Sequence, residues 1–307
     1  MRVFIAGATG EIGRGISKLL QSTGATVAGL CRRPENEPVL RSLGVEPRHA
    51  SLFDEESLVR AMDGCDAVVH AATAIPFGAP RRRSRYAELD RIRTDGTRRL
   101  SRAAGRAGAG VYVQQSIVWV AHDPGGAAFD ESSPPNGIWW TRSALEGEQI
   151  AGESASQFGF AGATVRCGMF YGPESAHVVA FRRLLRWRLL PVFRGCDALK
   201  AFIHIEDAAA AFAAAVRSRR SGLWHAVDDR PVSMNAFIRT LARYCGSRPP
   251  FELPHGLTRL LGDVARSPFL EATVTGNQNL RADLGWSPRF PTIDSGLASI
   301  AAEWRRV

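Results

Sequence analysis

Three glycines and two arginines carry the first chemical signal in the sequence. Gly7, Gly10 and Gly13 stand in the run Gly7-Ala8-Thr9-Gly10-Glu11-Ile12-Gly13, directly after an apolar stretch and at the head of an amphipathic one. That spacing suits a phosphate cradle. One glycine makes a tight turn, one lets backbone approach a pyrophosphate, and one lets the next helix pack on its strand. The helix start adds unpaired N–H groups and a partial positive charge. A glycine triplet alone is weak evidence, but a strand before it and a helix after it make it a dinucleotide motif. The second strand ends in Cys31-Arg32-Arg33, with no acid until Glu35. A carboxylate there would accept from a ribose 2′-hydroxyl, whereas a guanidinium pairs with a 2′-phosphate. The expected cofactor is therefore NADP(H) rather than NAD(H), with Arg14 close enough to help. The plainer reading makes Arg32 and Arg33 surface residues of an arginine-rich chain.

The elements that must hold these residues alternate between strand and helix. Strands are expected over 2–6, 26–31, 43–50, 67–72, 111–120 and 163–167, and helices over 12–23, 54–62, 88–107 and 140–158, with Asp54 as an N-cap. The stretch 123–137 is rich in Pro, Gly, Ser and Asp and reads as a loop. This pattern specifies an α/β fold, a Rossmann doubly wound parallel sheet, with a smaller C-terminal substrate lobe. The division expected is a dinucleotide-binding domain over 1–172, completed by segments near 200–227, and a lobe over 173–307. Helices near 178–190, 207–218, 233–245 and 292–304 belong to the second half.

Composition bounds the partners. The 307 residues are 45% hydrophobic and 22% charged, ordinary for a globular protein. No apolar run approaches the ~18 residues of a membrane span, so no membrane partner and a cytoplasmic location are expected. Five scattered cysteines show no metal-ligand spacing. The formal charge is +9, with arginines at 81–83, 85, 91, 93, 98 and 99 and again at 182, 183, 186 and 188. Only Lys18 and Lys200 are lysines. That skew reads as a solvated arginine-biased surface. No nucleic-acid module accompanies it, and a small molecule is the expected substrate.

Along nearly its whole length the sequence resembles the extended short-chain dehydrogenases/reductases, the NAD-dependent epimerase/dehydratase family. The resemblance rests on GATGEIG at 7–13, DAVVHAA at 66–72, GTRRL at 96–100, RCGMFYGP at 166–173, IHIEDAAAA beginning at Ile203, and LGWSP at 284–288. It implies that Ala71, Ala72 and Thr73 flank the adenine ribose and phosphates. It also implies a homodimer through the helices near 88–107 and 140–158. Family catalysis uses a serine ending the fifth strand and a Tyr-x-x-x-Lys pair on the next helix. Tyrosine exchanges a proton with the substrate oxygen, and lysine binds ribose and lowers the tyrosine pKa. Ser116 matches the serine, but Trp140 falls on the tyrosine and Ala144 on the lysine, with Ser143 and Glu148 still matching. No tyrosine lies between Tyr112 and Tyr171, and no lysine between Lys18 and Lys200, so the pair is not hidden by misregistration.

An indole N–H donates a hydrogen bond but is no acid near neutral pH. Losing a positioned general acid costs about 10²–10⁴-fold in rate. Ser116 remains as a substrate contact, or only as a strand-end serine. Tyr171 in a loop beside nicotinamide, and His122 with Asp123 near the pocket mouth, are the candidate replacements; the plainer readings make Tyr171 a packing residue and His122 a solvated loop histidine. Trp119, Trp139 and Trp140 could wall an aromatic or polyketide-like pocket, or simply fill core. Three readings follow: an NADPH-dependent oxidoreductase with another proton route; a cyclase, isomerase or dehydratase on the same scaffold; and a silent NADP(H)-sensing module.

Overall fold

A computed structural model of the chain describes residues 1–306 apart from 77, 79–81, 124 and 137. Arg81 and two residues of the expected loop, 124 and 137, thus lie outside the described residues.

Strands β1 (Arg2–Ala6), β2 (Thr26–Cys31), β3 (Glu46–His49), β4 (Ala67–His70), β5 (Val111–Ile117) and β6 (Ala161–Cys167) form one sheet with an edge strand, Gly222–Ala226. The spatial order is Gly222–Ala226, β6, β5, β4, β1, β2, β3, with every pair parallel. Parallel strands are covered on both faces, so their sequences are apolar without alternation. Val3, Ile5, Val69 and Val113 pack under α1 (Glu11–Ser22) and α8 (Ile205–Ser218). Phe4, Val68 and Tyr112 pack on the opposite side, against Leu100, Ala103 and Ala104 of α5 (Thr97–Arg106) and Ala151 of α6 (Arg142–Phe158). Helix α1 buries Ile12, Ile16 and Leu20, one residue per turn.

The remaining helices are α2 (Glu37–Ser42), α3 (Glu55–Ala61), α4 (Ala87–Arg91), α7 (Ala176–Arg186), α9 (Met234–Tyr244), α10 (Asp263–Leu270), α11 (Gln278–Leu284) and α12 (Ile293–Trp304). Asp54 caps α3 by accepting from the N–H groups of Glu56 and Ser57. Helices α7, α9, α10 and α12 enclose a second core around Phe193, Phe202, Phe237, Leu241 and Ile300. Phe202 and Phe237 stack there at 4.9 Å. Among the described residues no helix is long and apolar enough to cross a membrane.

Two departures from the sequence reading matter at the site. The fifth strand stops at Ile117, where its partner in β6 is Cys167, the last residue of that strand. The chain then turns through a 3₁₀ segment, Val118–Ala121. The long helix is interrupted by a π-helical turn, Ile92–Gly96, between α4 and α5. Gly96 permits this, since a Cβ there would sit 2.8 Å from Leu52.

Candidate active site

The chain leaves β1 and β4 side by side and winds outward in opposite directions from them, so the carboxyl ends of these strands flank the crevice where such sheets bind ligands. Gly7 follows β1 with φ +96°, and a Cβ there would lie 2.7 Å from the Ala71 carbonyl and the Ala72 nitrogen. A Cβ on Gly13 would lie 2.1 Å from the Gly7 carbonyl oxygen. Gly10 donates its N–H to that oxygen at 2.9 Å and sits at the N-cap of α1 in extended backbone. Ala71 and Ala72 therefore wall the glycine turn directly, and exposed Thr73 continues the chain at the rim. Thr9 is half-buried within the turn, while Ile12 points into the core. Glu11 is half-buried at the head of α1. Its carboxylate accepts from Ser175, and burial pushes its pKa up. Arg14 pairs with Glu174, which commits it to the lobe rather than to a phosphate. Arg32 and Arg33 follow β2, and Arg32 lies 3.8 Å from Glu88, both half exposed.

At the catalytic end the positions keep their places and lose their chemistry. Ser116, 2% exposed, donates its hydroxyl proton to Glu148. Arg166, its neighbour across β6, holds the same carboxylate through two bonds of 2.9 and 2.7 Å. The serine is thus tied into a buried ion pair and retains only its lone pairs for another group. Trp140 packs on Trp119 with ring centres 6.5 Å apart. Ala144 is buried among Val118, Trp119, Ala201 and Val227. Tryptophan and alanine have made an apolar wall where the resemblance implies an acid and a charge.

The profile of the NAD dependent epimerase/dehydratase family matches residues 3–225. The chain belongs to that family. Members bind a nicotinamide cofactor, and the glycine turn fits one sterically, being bare of Cβ atoms where backbone must approach. Over 309 residues the chain is 33% identical to a 3-diazoavenalumate denitrifying reductase of a Streptomyces species, covering 97% of this chain and 99% of that one. It is 26% identical to a 4-hydroxy-2-methyl-3-oxo-4-farnesyl-3,4-dihydroquinoline-1-oxide ketoreductase of Stigmatella aurantiaca, covering 98% and 96%. Among solved structures, a human epimerase family protein with NADPH superposes with a TM-score of 0.82 at 22% identity, covering 98% and 99%. A Thermus thermophilus UDP-glucose 4-epimerase with NAD gives 0.79 at 22%, covering 99% of each chain. At these identities the structures establish the fold.

The two candidate replacement groups are both buried. Tyr171 is fully buried in the lobe core, edge-on to Phe202, His204 and Phe237. Its hydroxyl donates to Asp228 at 2.8 Å, and burial beside that carboxylate pushes its pKa up. Asp228 itself is pushed up to about 7 by burial. This is the geometry of a packing residue. His122 is not at a solvent-open mouth but 2% exposed, its Nδ1 2.8 Å from the Trp119 carbonyl oxygen and 2.6 Å from Asn136 Nδ2. Its Nε2 lies 3.9 Å from Glu271.

A residue given no role by the sequence reading joins this group. Lys200 is fully buried, with its ammonium 5.6 Å from the centre of the Trp119 ring and donating to the Glu271 carbonyl oxygen. Burial pulls its pKa down to about 8. The available signal was that a chain rich in arginine keeps a lysine here. Arg166 was likewise legible only as part of a motif, since nothing local to it announces a partner at Glu148.

Proposed function

We propose that the protein is an NADP(H)-dependent reductase acting on a small aromatic substrate whose reduction needs no proton from position 140. The observation that carries this reading is the coexistence, in one family scaffold, of an intact glycine cradle and an apolar wall at Trp140 and Ala144. When bound, the nicotinamide supplies a hydride. Gly7, Thr9, Gly10, Glu11, Ile12 and Gly13, with Ala71, Ala72 and Thr73, form its cradle. Arg32 and Arg33 take the 2′-phosphate, which displaces Glu88 from Arg32.

The substrate class follows from what the wall leaves out. A carbonyl reduced to an alcohol gathers negative charge on oxygen and calls for an acid beside it. An electrophile that expels a neutral leaving group, as a diazonium group expels N2, balances the incoming hydride without one. The reductase with the denitrifying name, similar over nearly the whole of both chains, supports that class. Trp119, Trp139 and Trp140 supply the aromatic surface. Ser116 orients substrate through its lone pairs while Glu148 and Arg166 fix it. His122 and Lys200 stand behind Trp119 as positioning residues. The working unit is a cytoplasmic homodimer joined through the outer faces of α4, α5 and α6.

The test pairs binding with turnover. Titration with NADPH and NADH should show at least a tenfold NADPH preference, about 1.4 kcal/mol. An arenediazonium salt should then consume NADPH with equimolar release of N2, faster than with the Gly13→Ala protein. Tight NADPH binding with no consumption of any acceptor would convert the reading to an NADP(H)-sensing module.

A further inference from the structure

We propose that the cleft between the C-terminal ends of α7 and α9 is a binding site for a phosphate-rich anion, a pyrophosphate or a multiply phosphorylated ester, separate from the nucleotide cradle.

The cleft holds about 580 Å³ and is lined from the last turns of α7 and the residues just beyond both helices. Arg182, Arg186, Arg188 and Arg248 converge on it with Ser247, and among the described residues no carboxylate lines it. Arg182 stands 4.3 Å over the centre of the Trp304 ring. The side chains of Arg186, Arg188 and Arg248 make no hydrogen bond and no ion pair among the described residues. Elsewhere in the same lobe arginines find acids: Arg194 and Arg239 share Glu252, and Arg243 pairs with Asp294. Helix C-termini attract arginine, because the free carbonyls of each end carry roughly half a negative charge. Two ends supply about one such charge against four guanidiniums, so the cleft stays strongly positive.

The backbone adds a second, independent observation. Both helices close with the same cap, in which one residue beyond the helix takes the left-handed conformation. In α9 that residue is Gly246, φ +63°, and the N–H groups of Gly246 and Ser247 donate to the Arg243 and Ala242 carbonyl oxygens at 3.2 and 2.9 Å. In α7 it is Arg188, φ +57°, and the N–H groups of Arg188 and Leu189 donate to the Leu185 and Leu184 oxygens at 3.0 and 2.9 Å. Glycine is at ease in this position, whereas a Cβ crowds the neighbouring carbonyl. The residue that bears the strain is one that lines the cleft, and strained backbone gathers at binding sites. Convergence on one concavity and this strain set the group apart from the solvated arginines of the surface.

Several guanidiniums around one cleft call for several negative charges on one ligand. Phosphate oxygens meet the arginine fork in pairs, and two linked phosphates carry charge for more than one arginine, which a single carboxylate does not. The dinucleotide's own pyrophosphate is not this ligand. Just before α7, Ser175 donates to Glu11 at the head of α1 and Glu174 pairs with Arg14. The 11 residues of α7 then carry the chain ~16 Å from there to the cleft. The anion comes from one of two sources, a free phosphorylated metabolite or a lipid headgroup, which share this chemistry.

The test is calorimetric titration of the full chain with inorganic pyrophosphate, in excess NADPH so that the cradle is filled. Pyrophosphate should bind with a Kd below about 1 mM, at least about tenfold more tightly than orthophosphate. Arg186→Gln combined with Arg248→Gln should weaken it at least about tenfold. Arg188→Gly should weaken it too while Tm stays at or above that of the parent, so that the loss is not unfolding. Vesicles of phosphatidylcholine doped with a phosphatidylinositol bisphosphate separate the sources. Sedimentation with them that is lost in the same variants assigns a headgroup, and pyrophosphate binding without sedimentation assigns a free anion. Binding of neither pyrophosphate nor vesicles, equal binding by parent and variants, or binding that NADPH abolishes would overturn the site. So would tighter capture of single-stranded RNA than of pyrophosphate, which would make the cleft part of a nucleic-acid surface.

Discussion

The two ends of the cleft obey different rules. At the cradle, space dictates the glycines: Gly7 and Gly13 stand where a Cβ would overlap backbone. At the catalytic end, space is filled and chemistry is free. Trp140 packs on Trp119 and Ala144 lies among apolar neighbours, so the fold is held without a tyrosine and a lysine there. The scaffold therefore constrains the cofactor far more tightly than the reaction, and reaction type can drift while the nucleotide stays.

The contrast can be broken or sharpened by mutation. Gly13→Ala should cost NADPH at least a hundredfold in affinity, about 2.7 kcal/mol or more, measured by calorimetry. Undiminished binding would mean that the turn is less rigid than its geometry. Trp140→Tyr with Ala144→Lys should raise carbonyl reduction about a hundredfold over the parent, the scale of a restored general acid. It should also lower Tm, since Ala144 is packed among apolar neighbours. No gain, with NADPH still bound, would show that the cleft has been remodelled beyond two positions.

Lys200 gives a pH signature of the catalytic end alone. Its folded pKa, near 8, lies below its usual 10.5, so the unfolded chain binds the extra proton between those values. Stability from this group therefore rises as pH climbs from about 8 to 10.5, by about 3 kcal/mol at ~1.4 kcal/mol per unit of difference. Urea midpoints for Lys200→Met should lack that rise relative to the parent. The smallest effect is Arg32→Ser, which should weaken NADPH about tenfold, ~1.4 kcal/mol, and leave NADH unchanged. Equal losses for both nucleotides would detach Arg32 from the 2′-phosphate.

What the sequence made legible follows the same division. The strand–glycine–helix order at 2–22 is local, and each residue's role there can be read from its neighbours. The replacements at Trp140 and Ala144 were legible because a motif has fixed spacing. Groups whose meaning depends on contacts between distant segments were not. Tyr171 reads as a loop residue near nicotinamide, yet its hydroxyl is spent on Asp228, from beyond the edge strand. His122 stands at the head of a loop-like run and is nonetheless buried, because the Trp119 carbonyl and Asn136 fold over its ring. Arg93 looks like one more surface arginine of a helix. Only the π-helical turn on which it stands, Ile92–Gly96, leaves it half-buried.

The order of the strands also has a consequence for how the chain comes to be made. Strand β6 pairs on its outer side with Gly222–Ala226, and the whole of α7 and α8 lies between them in sequence. A nascent chain that has already assembled β1 to β6 carries a raw, apolar sheet border until synthesis has gone well past α8. For that interval the unfinished domain presents a template for pairing with other chains, and non-local parallel pairing closes slowly. Folding yield during production should thus be governed by the translation of residues 168–226, a stretch that contributes little to the nucleotide cradle itself.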